Sequence, residues 1–206
     1  MDLIKKYFPW LSSEQFDRFS KLYSLYEKWN KKINVISRKD FDNFYLHHVL
    51  HSLSISYIIK FKKNTSILDV GTGGGFPGIP LAICFPDSNF LLVDSVGKKT
   101  KVVNEITKSL NLKNVRVDNN RVEKIKGEFD YIVSRAVTNL PVFMSWVGGK
   151  IKPGGFNSLP NGVLYLKGGD FSEELSKINY NYNTYNIIDY LGEPYFETKK
   201  IVHIYR

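Results

Sequence analysis

Apolar positions near the start of the chain recur at helical spacing. Phe16, Phe19, Tyr23, Tyr26, Trp29 and Ile33 fall every three or four residues and lay one apolar face along about five turns. Ser12 stands three residues before Gln15, a capping-box spacing that predicts where this helix starts. A second pattern after Asp40 carries Phe41, Phe44, Tyr45, Val49, Leu50, Leu53, Ile58 and Ile59, so helical structure is expected to about residue 60. The spacing of these aromatics predicts packing against a neighbouring layer.

From Ser66 the rhythm becomes strand and helix in alternation. SILDV (66–70), NFLLVDS (89–95), NVRVD (114–118), FDYIVS (129–134) and GVLYLK (162–167) read as strands. Helical stretches lie between them at 79–85, at 98–110 with Val102, Ile106 and Leu110 in register, and at 139–150. Such alternation predicts parallel strands joined by right-handed crossovers, with helices on both faces. NTYNIIDY (183–190) and KKIVHIYR (199–206) read as two further strands, too close in sequence for a helical crossover, and so as an antiparallel pair. The expected fold is α/β: a Rossmann-like sheet of five parallel strands plus a C-terminal antiparallel hairpin. Residues 1–60 would form an N-terminal helical subdomain and residues 61–206 the sheet domain.

Composition narrows the class. A chain of 206 residues, 43% apolar and 24% charged, fits one soluble domain with a short appendage. No apolar run reaches the length of a membrane-spanning helix. The opening MDLIKKYFPWLSSEQ has neither an apolar signal core nor a small-residue cleavage site. The lone cysteine, Cys84, has no partner for an internal disulfide, and its neighbours Ile83 and Phe85 predict a buried, inert thiol. A cytoplasmic protein is expected. The net charge of +9 favours a polyanionic partner, because each Lys or Arg placed on a phosphate releases counterions, though a merely soluble surface explains it equally well.

The strongest local signal is ILDVGTGGGFPGIP (67–80), glycines that directly follow a strand and precede a helix. Gly71 and Gly73 let the chain turn sharply and bring its backbone close to a ligand, and Pro77 and Pro80 suit the first turn of the helix. Gly73, Gly75 and Gly78 also spell the G-x-G-x-x-G of dinucleotide sites. Against a dinucleotide stand Asp69, whose charge would oppose a pyrophosphate but favour a sulfonium or ammonium group, and the antiparallel C-terminal pair. S-adenosylmethionine is therefore the preferred ligand. Asp94 ends the second strand, 23 residues after Gly71, where an acid accepts hydrogen bonds from ribose hydroxyls; a role at the start of the next helix is the alternative. Val122 and Glu123 follow the third strand, where an adenine would lie, although Glu123 is equally a solvated helix charge. Arg135 follows the fourth strand at its carboxyl end, where open α/β sheets place ligands. An internal ion pair is its structural alternative.

In combination, ILDVGTGGGFPGIPLA, LLVDSVGKK, the pair Val122–Glu123 and the segment VSRAV closely resemble the bacterial 16S ribosomal RNA guanine-N7 methyltransferase family, known as RsmG or GidB. WNKKINVISRKD (29–40) and HHVLHSL (47–53) match its helical extension, so the likeness covers nearly the whole chain. The resemblance implies a class I methyltransferase sheet, S-adenosylmethionine as methyl donor, and transfer to a guanine N7 in 16S rRNA, on the small ribosomal subunit or an assembly intermediate. Carried over by motif, Gly71, Phe76, Val122, Glu123 and Arg135 would contact the cofactor with Gly73 beside them, Asp94 would hold the ribose, and Arg135 would serve the reaction. One departure is visible: where the family usually reads His-x-x-Asp-Ser, this chain has His48-Val-Leu-His51-Ser52. His47 and His51, spaced i, i+4, would share a helical face as in a two-histidine metal site, but no third ligand has suitable spacing and no metal is expected. Two rivals remain: an RNA-binding protein that has lost catalysis, and a nicotinamide-dependent oxidoreductase.

Overall fold

In a computed structural model, which describes residues 1–135 and 137–206, the capping box at Ser12 is formed. The Ser12 hydroxyl accepts from the Gln15 amide, and the Gln15 side chain accepts from the Ser12 amide. A short helix, α1 (Asp2–Tyr7), precedes it, and α2 (Ser13–Asn30) follows with Phe19, Leu22 and Tyr26 buried along one face. The chain then makes a 3₁₀ turn (Arg38–Asn43) and a π-helix (Phe44–Leu50), continuing into α3 (His51–Leu53) and α4 (Ile55–Ile58). His47 and His51 share a face as expected, both meeting the Tyr195 ring, while His47 and His48 both bond Asp40.

The sheet has the order β3-β2-β1-β4-β5-β7-β6. Its strands are β1 (Ser66–Val70), β2 (Asn89–Val93), β3 (Val115–Asp118), β4 (Tyr131–Arg135), β5 (Gly162–Gly168), β6 (Asn181–Asn186) and β7 (Lys199–Tyr205). The first five pair in parallel, and β7 lies antiparallel between β5 and β6. Side chains alternate as a sheet covered on both faces requires. Ile67, Tyr131, Val133, Leu164 and Ile201 join the N-terminal helices, α5 (Gly78–Cys84) and α6 (Gly97–Ser109) in one core. Leu68, Ile132, Val163, Tyr165 and Val202 pack on the other face against α7 (Leu140–Val147) and α8 (Ser172–Leu175).

The strand expected over 183–190 stops early. Ile187 and Leu191 are both buried at helical spacing, and α9 (Ile188–Leu191) forms between β6 and β7. Gly192 closes that turn in the left-handed region (φ 53°), its amide donating to the Ile188 carbonyl. Cys84 is half-buried rather than buried, and burial pushes its thiol up to about 12. No helix among the described residues is long and apolar enough to cross a membrane.

Candidate active site

The loop after β1 is held by two carboxylates. Asp69, fully buried, accepts from the Thr72 hydroxyl (2.6 Å) and from the Gly78 amide (2.9 Å). A Cβ on Gly78 would lie 2.6 Å from the same Asp69 oxygen, so the close approach needs glycine. Burial pushes the Asp69 carboxyl up to about 7. The strand's alternation turns Asp69 toward the loop and α5, so it braces the loop and takes no part in the cavity wall where a cationic ligand group was expected. Asp94 holds the other side. Its Oδ2 accepts from the Gly73 amide and its Oδ1 from the Val96 amide, both at 2.8 Å. The second contact is an Asx turn leading into α6, so the two roles weighed for Asp94 are compatible. Each oxygen retains a free lone pair. Gly73 sits at φ 58°, and a Cβ there would meet nothing nearer than the Gly71 carbonyl at 3.9 Å, leaving open space above the backbone.

A cavity of about 560 Å³ opens over this loop and the carboxyl ends of β1, β2 and β4. Gly71, Gly73, Phe76, Asp94, Val122, Glu123 and Arg135 all line it. Lys99, which follows the second strand, lines it too, as do Val35 and Trp146, which were not singled out in the sequence, since only the folded chain brings them there. The volume is that of a small-molecule site. A nucleoside fits the chemistry: exposed backbone at Gly73, a carboxylate with free lone pairs at Asp94, and apolar Val122 and Trp146.

Arg135 ends β4 and is anchored to the N-terminal segment. Its Nη1 donates to the His47 carbonyl and its Nη2 to His48 Nδ1, both at 3.1 Å, while the guanidinium lies 5.3 Å over the Phe76 ring. A guanidinium only donates, so His48 Nδ1 accepts and Nε2 carries the proton, donated to Asp40 Oδ2 at 2.8 Å. His47 Nδ1 bonds the other Asp40 oxygen. Burial and the positive charge of Arg135 push His48 down to about 4, so the ring is neutral. Among the described residues no carboxylate reaches Arg135 directly; an imidazole stands between it and Asp40, which replaces the ion pair weighed from sequence. His51 is buried edge-on to Tyr195 and Phe196, its Nε2 without a partner. Burial and the Arg135 charge hold it well below its ordinary value. Sequence reading missed Asp40 and the role of His48, because only the π turn brings them together. Among the described residues no group of three or more His, Cys, Asp or Glu side chains is placed to hold a metal ion.

A parallel sheet with an antiparallel strand inserted beside β5, and a cavity at the carboxyl ends of its strands, define the Rossmann-like methyltransferase class. The fold is similar to that of a SAM dependent methyltransferase from Aquifex aeolicus, with a TM-score of 0.58 and 16% identity over 80% of this chain and 93% of that one. Within the class, the chain belongs to the rRNA small subunit methyltransferase G (GidB) family, whose profile matches residues 15–191. It is 54% identical to the Ribosomal RNA small subunit methyltransferase G of Flavobacterium johnsoniae, across 99% of this chain and 97% of that protein. Its counterpart of the same name from Cytophaga hutchinsonii is 51% identical, across 99% of both chains.

Proposed function

We propose that this chain transfers the methyl group of S-adenosylmethionine to N7 of a guanine in 16S rRNA, acting in the cytoplasm on the small ribosomal subunit or an assembly intermediate. The observation that carries the reading is the convergence of the glycine loop, Asp94 and Arg135 on one cavity in a chain of this family. Asp94 accepts the ribose hydroxyls on its free lone pairs, and the backbone at Gly71 and Gly73 lets the ligand approach. Val122 supplies an apolar wall for the adenine, with Glu123 beside it as a hydrogen-bond acceptor. Phe76 supports the Arg135 guanidinium from below. When bound, S-adenosylmethionine supplies a methyl carbon on a positively charged sulfur; the N7 lone pair takes that carbon, sulfur keeps the bonding pair, and the positive charge passes to the base.

Guanine N7 needs no deprotonation before it reacts, so the side chains align and stabilise rather than move protons. Arg135 uses two of its five N–H groups on His47 and His48, and the remainder are free to orient a guanine O6. Lys31, Lys32, Arg38 and Lys39 are all exposed on the N-terminal segment, residues 1–60, which we assign to RNA contact. The test uses purified protein, labelled S-adenosylmethionine, and small subunits or naked 16S rRNA from cells lacking the gene. Label on a guanine in one of these substrates supports the reading and identifies which form is used. Binding of NADH with no binding of S-adenosylmethionine overturns it in favour of an oxidoreductase; cofactor and RNA binding without transfer would leave an RNA-binding protein.

A further inference from the structure

Arg135 is the one described residue shared by two cavities: the one assigned above to the cofactor, and a smaller one of about 230 Å³ on its other side. The smaller cavity is walled by Asp40, His47, His48 and His51 of the N-terminal segment, by the end of β5, and by Tyr195 and Lys199. The His47 and Tyr195 rings stack with centroids 3.8 Å apart and planes 15° apart, forming a flat aromatic wall. Along another side run Arg135, His48 and Asp40 in hydrogen-bonded sequence. His51 lines the same space with a buried Nε2 that nothing satisfies. Polar groups left open in a part-enclosed, aromatic-walled space are what a flipped-out base requires.

We infer that this second cavity is the socket for the target guanine, with Arg135 donating to O6 and Asp40 accepting from N1–H and the N2 amino group. The inference rests on the methyl transfer proposed above. The order of groups fixes the orientation. On guanine, O6 lies between N7 and N1, so a base with O6 at Arg135 and N1 toward Asp40 turns N7 to the side where the cavities meet. Adenine would set a lone pair at N1 against the Asp40 carboxylate and an amino group against Arg135, so the socket excludes it. As N7 gains positive charge, N1–H and the N2 amino group become stronger donors. The bonds to Asp40 then strengthen in the transition state, which is where binding raises the rate.

The test is a double-substitution cycle on wild-type and Asp40→Asn protein. The substrates are small-subunit rRNA assembled by ligation with either guanosine or inosine, which lacks the N2 amino group, at the methylated position. Single-turnover rates are read, with S-adenosylmethionine affinity and melting temperature as controls. On guanosine, Asp40→Asn is expected to slow methylation about tenfold or more with cofactor affinity unchanged. Inosine should slow the wild type by a similar factor, and the variant should lose little more on inosine than on guanosine. Losses that multiply would mean that Asp40 acts only through His48 and Arg135, and would overturn the inference alone. No transfer by the wild-type protein to guanosine RNA would overturn the substrate reading and the socket with it.

Discussion

The Arg135 guanidinium donates to a carbonyl and to a neutral imidazole, and neither acceptor cancels its charge. That charge is available to a ligand, so Arg135→Ala should lower guanine-N7 methylation at least about tenfold, the equivalent of about 1.4 kcal/mol in the transition state. Lysine should restore little, because it lacks the planar fork. Single-turnover rates and melting temperature on the same variant decide the matter: full activity in a destabilised protein would make the residue structural. For Asp94→Ala, calorimetry should show S-adenosylmethionine binding weakened by about 1–3 kcal/mol through lost charge-assisted hydrogen bonds. Unchanged affinity would remove the ribose from that carboxylate. His48 offers a pH test. It is neutral in the fold down to about pH 4, whereas in the unfolded chain it takes a proton below about 6.5. Its burial among Arg135, Asp40, His47 and Phe76 therefore costs nothing above pH 6.5 and destabilises the fold progressively below, by roughly 3 kcal/mol at pH 4. Asp69, raised to about 7, works oppositely, since the fold holds its proton more tightly and gains as pH falls from 7. Denaturation curves of His48→Asn should accordingly gain on the wild type between pH 6.5 and 4, while Asp69→Asn should lose ground. Parallel curves for wild type and His48→Asn would contradict the neutral, buried imidazole. The glycine loop, Asp94 and Arg135 were legible in the sequence because strand ends fix their places. The bonds from Arg135 to His47 and His48 were not, since they join residues 87 or more apart through a turn type that periodicity does not reveal.

At the scale of elements, the segment from the end of α2 to the π-helix does double duty. Val35 lines the cavity assigned to the cofactor, while Lys31, Lys32, Arg38 and Lys39 on either side face solvent. Asn30 pins the stretch between, its side chain accepting from the Val35 and Ile36 amides and donating to the Ile36 carbonyl. Neutral substitution of all four cations should weaken rRNA binding and flatten its dependence on salt, because fewer counterions are released. Affinity for S-adenosylmethionine should stay unchanged. Filter binding across a salt series reads the first and calorimetry the second; an unaltered slope would move the RNA surface elsewhere. Periodicity placed α2 and the five parallel strands because their apolar positions recur at helical or strand spacing, even in the edge strand β3, which stays only half-buried. It failed at 183–190, where Ile187 and Ile188 suit either structure and burial of Ile187 with Leu191 selects a helix. At 44–50 it placed a helix correctly but left its π type unread.

Across the whole molecule, one core joins the N-terminal helices to a face of the sheet, and the Tyr26 hydroxyl donates to the Gly74 carbonyl at 2.5 Å. The segment assigned to RNA is thus tied directly to the loop assigned to the cofactor, and Arg135 links the same two parts from the sheet side. The net charge of +9 gives the assembly its attraction for a polyanion, while the sheet's switch point between β1 and β4 gives it the cavity. The most direct test of this arrangement is mass mapping of methylated guanines in 16S rRNA from cells with and without the gene. A single N7-methylguanine should vanish from 16S rRNA on deletion, return with the wild-type gene, and fail to return with Arg135→Ala. An unchanged methylation map, or loss of a methyl group from another atom or another RNA, would contradict the function proposed here.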